Sequence, residues 1–216
     1  ASVAAAQLPR FSAQEVSNLV WAYATLGFRD LPLLGRAASV AARRVDKYGT
    51  QACANIAWAY AKLDVSAPVL FDRLARSCEE RLPLFSSQEL ANFTWAFARS
   101  RRVAPDLFDA LAREAAARLP EFKPQELSIL AYAFAYANAD DSVPALFAFL
   151  ASAAAEALDE FSPQALANTA WAFTAVDFHS TVLFQSHFGE VCSSSDFGHA
   201  ELCQLHQFEL WCAEHK

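Results

Sequence analysis

Hydrophobic and polar positions recur in the same order five times along the chain. The first copy, FSAQEVSNLVWAY at residues 11–23, returns with small changes at 48–60, 85–97, 122–134 and 161–173. The aromatic residues that open the copies are 37, 37, 37 and 39 positions apart. Self-similarity with a period of about 20 to 50 residues is typical of solenoids, in which each unit buries its apolar face against the next.

Local signals predict two helices in each copy. Ser12 precedes Glu15 by three residues and Ser86 precedes Glu89 by three, which is the spacing of a capping box, while Ser162 stands before Pro163. First helices are therefore expected to begin near residues 13, 50, 87, 124 and 163, each followed by an antiparallel partner. The second helix often opens with proline, at Pro68, Pro105 and Pro144. Two extra residues near Asp140 and Asp141 lengthen the loop of the fourth copy.

These elements predict an all-α fold, an α-solenoid of about five 37-residue helical hairpins plus a partial sixth. The whole chain, residues 1–216, is expected to be one domain. Its repeats cover residues 11–47, 48–84, 85–121, 122–160 and 161–196, and residues 197–216 form a partial repeat or cap.

A projection of the first helix at about 100° per residue separates a core stripe from an opposite stripe. The core stripe contains Val16, Leu19, Val20, Tyr23 and Leu26. Small residues lie on its flanks, where they allow neighbouring first helices to approach closely. The opposite side, which we name the amide–aromatic stripe, carries Gln14, Asn18, Trp21 and Thr25, then Gln51, Asn55, Trp58 and Lys62, then Gln88, Asn92, Trp95 and Arg99, then Gln125, Ile129, Tyr132 and Tyr136, then Gln164, Asn168, Trp171 and Ala175.

Two interpretations of the amide–aromatic stripe compete. The aromatic rings could stack on RNA bases, with amides at base edges and cations at phosphates. Alternatively, the stripe interlocks successive repeats, which would explain why its residues barely vary between copies. The second interpretation is favoured for the Gln, Asn and Trp residues, and it predicts that Trp21, Trp58, Trp95 and Trp171 are largely buried.

Charge is divided unevenly along the chain. Residues 1–123 hold 16 Lys and Arg against 12 Asp and Glu, a net of +4, whereas residues 124–216 hold 1 against 12, a net of −11. Phosphate neutralisation requires cations, so RNA is expected to contact residues 1–123. Protein partners are expected at the acidic residues 124–216, where Phe188, Phe197, Phe208 and Trp211 would need a cover.

Eight cations are the candidate RNA-binding residues: Arg43, Arg44, Lys62, Arg81, Arg99, Arg101, Arg102 and Arg118. Three of them, Arg44, Arg81 and Arg118, are spaced by 37 residues and should form a column at the ends of the second helices. A column of this kind could cap the carboxyl ends of those helices or follow a phosphate backbone.

Other chemistry finds little support. Of the five cysteines, Cys53 and Cys78 lie within repeat helices and predict small buried thiols. Cys203 and His206 project away from Cys212 and His215 on one helix, so a zinc site is not expected. No phosphate loop or catalytic motif occurs, and we expect no enzyme activity, no cofactor and no membrane span. The chain has no Met and starts at Ala1, which suggests processing or a piece of a longer product.

The phrases SSQELANFTWAFA at 86–98 and FSPQALANTAWAF at 161–173 resemble the octatricopeptide repeat (OPR) family and related helical repeats that often precede a RAP domain. The likeness covers about residues 11 to 190, and the tail at 202–211 is similar to the helix before such a domain. The resemblance implies a right-handed α-solenoid superhelix of paired helices, a mitochondrial or chloroplast location, and binding of organellar RNA. Some relatives resemble structural parts of organellar ribosomes.

Together these patterns predict a non-catalytic, RNA-associated repeat protein of an organelle. A structural subunit of a mitochondrial ribosome, bound to ribosomal RNA and neighbouring proteins, is the preferred expectation. A protein-only scaffold of an organellar complex and a free RNA maturation or translation factor are the alternatives.

Overall fold

The computed structural model describes residues 7–102, 104–138 and 143–214, and these residues form helices and connecting turns with no strand among them. The predicted insertion at Asp140 and Asp141 lies outside the described residues. The α-helices are α1 (Ala13–Leu26), α2 (Leu31–Arg44), α3 (Thr50–Lys62), α4 (Pro68–Cys78), α5 (Ser87–Arg99), α6 (Pro105–Ala117), α7 (Pro124–Ala137), α8 (Val143–Glu156), α9 (Pro163–Ala175), α10 (Ser186–Ser194) and α11 (His199–Glu214).

The predicted starts of the first helices are confirmed at Ala13, Thr50, Ser87, Pro124 and Pro163. Two of them carry the predicted capping box. At α1 the Ser12 hydroxyl accepts from the Glu15 amide at 3.2 Å, and the Glu15 carboxylate accepts from the Ser12 amide at 2.7 Å. At α5 the same pair of bonds joins Ser86 and Glu89, so local sequence alone determines where these helices begin.

The chain divides into two compact units, Ala1–Leu111 and Ala112–Lys216, with the boundary inside α6. In the first unit α3 packs against both α1 and α5, and α2 packs against α4. In the second unit α9 packs against both α7 and α11. Within each unit the first helices of successive hairpins are thus neighbours, as repeat packing requires.

Small side chains form the seams between these first helices, as predicted. Positions equivalent to Ser17 are all buried, and so are the positions equivalent to Ala59 in the later copies. The first set is Ser17, Ala54, Ala91, Ser128 and Ala167, and the second is Ala59, Ala96, Ala133 and Ala172. Helix axes can approach closely where no large side chain separates them.

The core stripe is confirmed in part. Val16 and Val20 are buried, but Leu26 is 71% exposed. Leu26 is the last residue of α1, next to the turn into α2, so it lies beyond the part of the helix that α2 covers. The buried thiols predicted at Cys53 and Cys78 are confirmed, since both residues are inaccessible to solvent.

Every first helix is followed within two residues by a residue with left-handed backbone geometry. These residues are Gly27, Asp64, Arg101, Asn138 and Asp177, with φ between 52° and 71°. After the left-handed residue, the next amide bonds back to the helix, as from Val65 to Tyr60 at 3.0 Å and from Arg102 to Phe97 at 3.1 Å. This arrangement is the Schellman type of helix ending, and it supplies partners for the last carbonyl groups.

The fifth hairpin differs from the earlier ones. Its second helix, α10, begins at Ser186, after a separate turn in which the Ser180 hydroxyl accepts a hydrogen bond from the Leu183 amide. Helix α11 then occupies the position of a partial sixth repeat, and its Gln204 amide bonds Asn168 of α9 at 3.1 Å. The expectation of an external cover is wrong for Phe188, Phe208 and Trp211, which are all buried within the unit. Phe197, the fourth residue of that set, is half-buried.

Candidate nucleic-acid interface

The hairpins of the first unit have two edges. We name the side where a second helix ends and its own first helix begins the junction edge, and the side with the turn between the two helices the loop edge. Arg44, at the end of α2, contacts Phe11, which stands just before α1, and this contact places the helices antiparallel. A helix of 13 residues is about 20 Å long, so the two edges are separated by about that distance.

Arginine at the junction edge bonds the main chain. The Arg44 guanidinium donates to the Phe11 carbonyl at 3.1 Å and to the Pro9 carbonyl at 2.5 Å. Arg81 donates to the Tyr48 carbonyl at 2.7 Å. In these two hairpins the bonds join the end of the second helix to the segment that precedes the first helix. The predicted role was different, since the arginines were expected to cap the carboxyl ends of the second helices.

The third member of the column, Arg118, belongs to the second unit and is paired with carboxylates. Its guanidinium lies 2.7 Å from Glu121 and 3.1 Å from Glu114. The hydrogen bond to Glu121 is the main reason why the pKa of Arg118 is raised, and the same bond lowers the pKa of the Glu121 carboxyl group. All three column arginines therefore already have structural partners.

The loop edge holds four of the other candidates. The Lys62 ammonium stands 4.5 Å from the centre of the Trp58 ring, a cation–π contact, and Arg102 lies 3.7 Å from the Asp72 carboxylate. Within the described residues, no hydrogen bond or ion pair engages the side chain of Arg99 or Arg101. These two guanidinium groups are available to a ligand.

A cavity of about 480 Å³ gathers three of the candidate arginines at this edge. Its lining includes Arg99, Arg101 and Arg102 together with Tyr60, Asp64, Ser66 and Phe71. Tyr60 is buried and donates to the Leu34 carbonyl at 2.6 Å, and burial raises the pKa of its hydroxyl group. Because the Tyr60 hydroxyl group already donates to a main-chain carbonyl, the arginine side chains are the groups of the cavity that can bind an anion.

The eight predicted residues therefore do not form one surface. Arg43 lies apart from the loop edge, exposed at the end of α2, beside a groove of about 620 Å³ between α2 and α4. Sequence reasoning missed Asp64, Ser66, Tyr60 and Phe71 as neighbours of the cationic cluster. The regular spacing of Gly27, Asp64, Arg101 and Asn138 was the available signal, because Gly and Asn are common at helix ends with left-handed geometry.

The tryptophans of the amide–aromatic stripe are more open than predicted. Trp21 is 46% exposed, and Trp58, Trp95 and Trp171 are half-buried. The expectation of burial is wrong for Trp21, whereas Trp58, Trp95 and Trp171 are only partly accessible to solvent. The small-residue seams explain this, because neighbouring first helices meet through Ala and Ser and leave the large rings beside the seam, on the open side.

The stripe differs between the two units. In the second unit the Tyr132 ring lies 4.8 Å from Trp171, and the Asn168 amide accepts a hydrogen bond from Gln204. In the described part of the first unit no ring contact joins Trp21, Trp58 or Trp95. Interlocking thus accounts for these stripe residues in the second unit, while in the first unit Trp21 is exposed and Trp58 lies under the Lys62 ammonium.

Charge follows the same division. Lys123 is the last Lys or Arg among the described residues, so the remaining described chain offers carboxylates but no Lys or Arg to a polyanion. No helix of the described residues has the length and hydropathy to span a bilayer. The described residues contain no group of three or more potential metal ligands, and His215 lies outside them.

Comparison with known proteins gives one family. No curated protein matches the chain. The family model for RNA-editing substrate-binding complex 6 proteins matches residues 3–205, nearly the whole sequence, and the chain therefore belongs to the RNA-editing substrate-binding complex 6 protein family.

Proposed function

We propose that this protein is a non-catalytic helical-repeat subunit of an organellar complex that holds RNA. The observation that carries the proposal is the family match over residues 3–205, because the family is described as part of a complex that binds the substrates of RNA editing. The open cations and rings of the first unit support it. They supply the two groups that single-stranded RNA requires, positive charge for phosphates and aromatic faces for bases.

The proposal assigns different partners to different parts of the chain. RNA contacts residues 1–123, whose net charge is +4, and protein partners contact residues 124–216, whose net charge is −11. Phosphates would be repelled by the acidic part, whereas basic or apolar protein surfaces would not. Within residues 1–123, the loop edge carries the RNA-binding role, since its arginines Arg99 and Arg101 have no structural partner in the described chain.

The proposal also names the kind of complex to which the protein belongs. The family description names an RNA-editing substrate-binding complex, so we place the protein in a complex of that class. A subunit of a mitochondrial ribosome is the second candidate, supported by the resemblance to OPR and related repeats. The same resemblance supports a mitochondrial location, with the chloroplast as the alternative. The single right-handed superhelix remains a prediction, which electron cryo-microscopy of the native complex tests.

Ultraviolet crosslinking of the native protein, followed by sequencing of the attached RNA, tests the function. Enrichment of transcripts that undergo editing would support the proposal. Enrichment of ribosomal RNA would favour the second candidate. If irradiated samples yield no more RNA than samples kept in the dark, the RNA role is wrong, and a protein-only scaffold becomes the better account of the acidic part.

A further inference from the structure

Arg101 occupies a backbone position that arginine rarely adopts. The equivalent residues in the other hairpins are Gly27, Asp64, Asn138 and Asp177. Gly, Asn and Asp tolerate left-handed geometry, because Gly lacks a Cβ atom and the other two have short polar side chains. Arg101 has φ of 55° and neither advantage. A residue kept in a sparsely populated conformation, where better choices occur elsewhere in the same chain, indicates a role beyond folding.

The surroundings of Arg101 show what that role requires. Arg101 lines the 480 Å³ loop-edge cavity with Arg99 and Arg102, against the single lining carboxylate of Asp64. The Arg102 guanidinium group also forms an ion pair with the Asp72 carboxylate, at 3.7 Å. The main-chain carbonyls nearby are occupied, since the Arg101 and Arg102 amides bond Ala98 and Phe97. The guanidinium of Arg101 thus has no bond to make within the described structure, and it stands in a net positive cavity.

We infer that the loop-edge cavity is a phosphate-binding subsite, with Arg101 as its central ligand and Arg99 beside it. This inference rests on the proposed RNA-binding function and names the group of the RNA that this site takes. Guanidinium groups match phosphate oxygens with two parallel N–H donors, which a single lysine cannot supply. The aromatic floor of Phe71 and Tyr60 restricts the space beneath the anion. Either a phosphate of the RNA backbone or a terminal 5′-phosphate has the required chemistry.

The left-handed backbone makes the inference testable, because the two roles of position 101 respond in opposite directions. Arg101→Asn removes the cation and introduces a residue that favours left-handed geometry. We expect the melting temperature to rise by about 2 °C as strain is relieved. The affinity for a fluorescein-labelled, 20-nucleotide single-stranded RNA of mixed sequence should fall about tenfold, and the slope of log K against log salt should shrink by about 0.7. A merely structural residue would not change the salt slope.

Two variants of the same chain are matched controls. Asp64→Asn keeps a residue that tolerates left-handed geometry and removes the carboxylate of the cavity, so RNA affinity should rise. Arg36→Gln removes an exposed cation of α2 that lies away from the cavity, and it should leave the salt slope within about 0.2 of the wild type. Comparing RNA with and without a 5′-phosphate identifies the source, since only a terminal phosphate site would lose its Arg101 dependence with the unphosphorylated RNA.

The outcomes separate this inference from the proposed function. If the wild-type protein does not bind the RNA at all, the proposed function fails. If the wild type binds and Arg101→Asn keeps the wild-type affinity and salt slope, the phosphate subsite is wrong while RNA binding stands. If Arg101→Asn lowers affinity by the same factor as Arg36→Gln, the effect is one of net charge, and the subsite is also wrong.

Discussion

The junction edge and the loop edge of the first unit use the same side chain differently. At the junction edge, Arg44 and Arg81 bond main-chain carbonyls that precede the first helices. At the loop edge, the left-handed turn already supplies amide donors to the helix carbonyls, as from Arg102 to Phe97. At the junction edge, arginine therefore completes the fold. At the loop edge Arg29 also bonds a main-chain carbonyl, that of Asp64 at 3.1 Å, but Arg99 and Arg101 are left for a partner.

Removing the loop-edge cations should have the largest effect on binding. The triple variant Arg99→Gln, Arg101→Asn and Arg102→Gln should bind single-stranded RNA about 100-fold more weakly, roughly 2.7 kcal/mol, because three charge-assisted contacts are lost. Its salt slope should fall by about 2. The control Arg10→Gln, Arg36→Gln and Arg76→Gln changes the net charge equally. Equal losses in the two triple variants, measured by fluorescence anisotropy, would contradict the assignment of RNA to the loop edge.

Breaking the junction edge should instead cost stability. Arg81→Ala leaves the Tyr48 carbonyl without its donor, and the free energy of unfolding should fall by about 2 kcal/mol. RNA affinity of the folded variant should stay within about twofold. Urea denaturation measures the first quantity. Arg76→Ala, an exposed cation on α4 with no ion pair in the described chain, should change stability by less than about 0.5 kcal/mol. If Arg81→Ala lowers the free energy of unfolding no more than Arg76→Ala does, the bond from Arg81 to Tyr48 does not stabilise the fold.

A pair of tryptophan variants tests whether the same division extends to the amide–aromatic stripe. Trp21→Ala should weaken RNA binding by about 1 to 2 kcal/mol, since base stacking on a ring that is 46% exposed is lost. Trp171→Ala removes the ring that packs on Tyr132 at 4.8 Å, so it should lower stability by about 2 kcal/mol and leave RNA affinity unchanged. Thermal melts and binding isotherms measure both quantities for both variants. The division would be wrong if the first variant lost stability and the second lost RNA affinity.

The smallest expected effect is the pH response of Glu121. Folding lowers the pKa of this carboxyl group because it accepts a hydrogen bond from Arg118. The ion pair therefore stabilises the protein above the unfolded pKa, about 4.3, and this contribution is lost as the pH falls through the lower folded value. NMR titration should find a midpoint below 4.5, and Glu121→Gln should flatten the stability curve in that window. An unshifted midpoint would show that the pair does not persist in solution.

The helix starts were predictable to the residue because their determinants are local. Ser12 and Glu15 lie three positions apart, and their reciprocal bonds need nothing from the rest of the chain. The exposure of Trp58 was not predictable in the same way. A helical projection shows which side of α3 holds the ring, but it does not show how far the neighbouring helices extend over that side.

The roles of the arginines needed the fold as well. Arg81 and Arg101 are the same residue type, and their neighbours in sequence, two glutamates before Arg81 and two further arginines beside Arg101, do not show which partner each guanidinium group takes. What distinguishes them is a carbonyl 33 residues earlier in the chain for Arg81, and a left-handed turn for Arg101. The periodic column at 44, 81 and 118 indicated a shared role, and the structure shows partners in the protein itself for all three.

The bonds from Arg44 to Phe11 and from Arg81 to Tyr48 each span 33 residues, slightly less than one repeat. Each bond closes one hairpin on itself without waiting for a distant segment. Contacts of short sequence separation accelerate folding, because little loop-closure entropy opposes them. The bond that closes a hairpin can therefore form soon after that hairpin is synthesised, and the apolar edge that is still uncovered can serve as the template on which the next hairpin assembles.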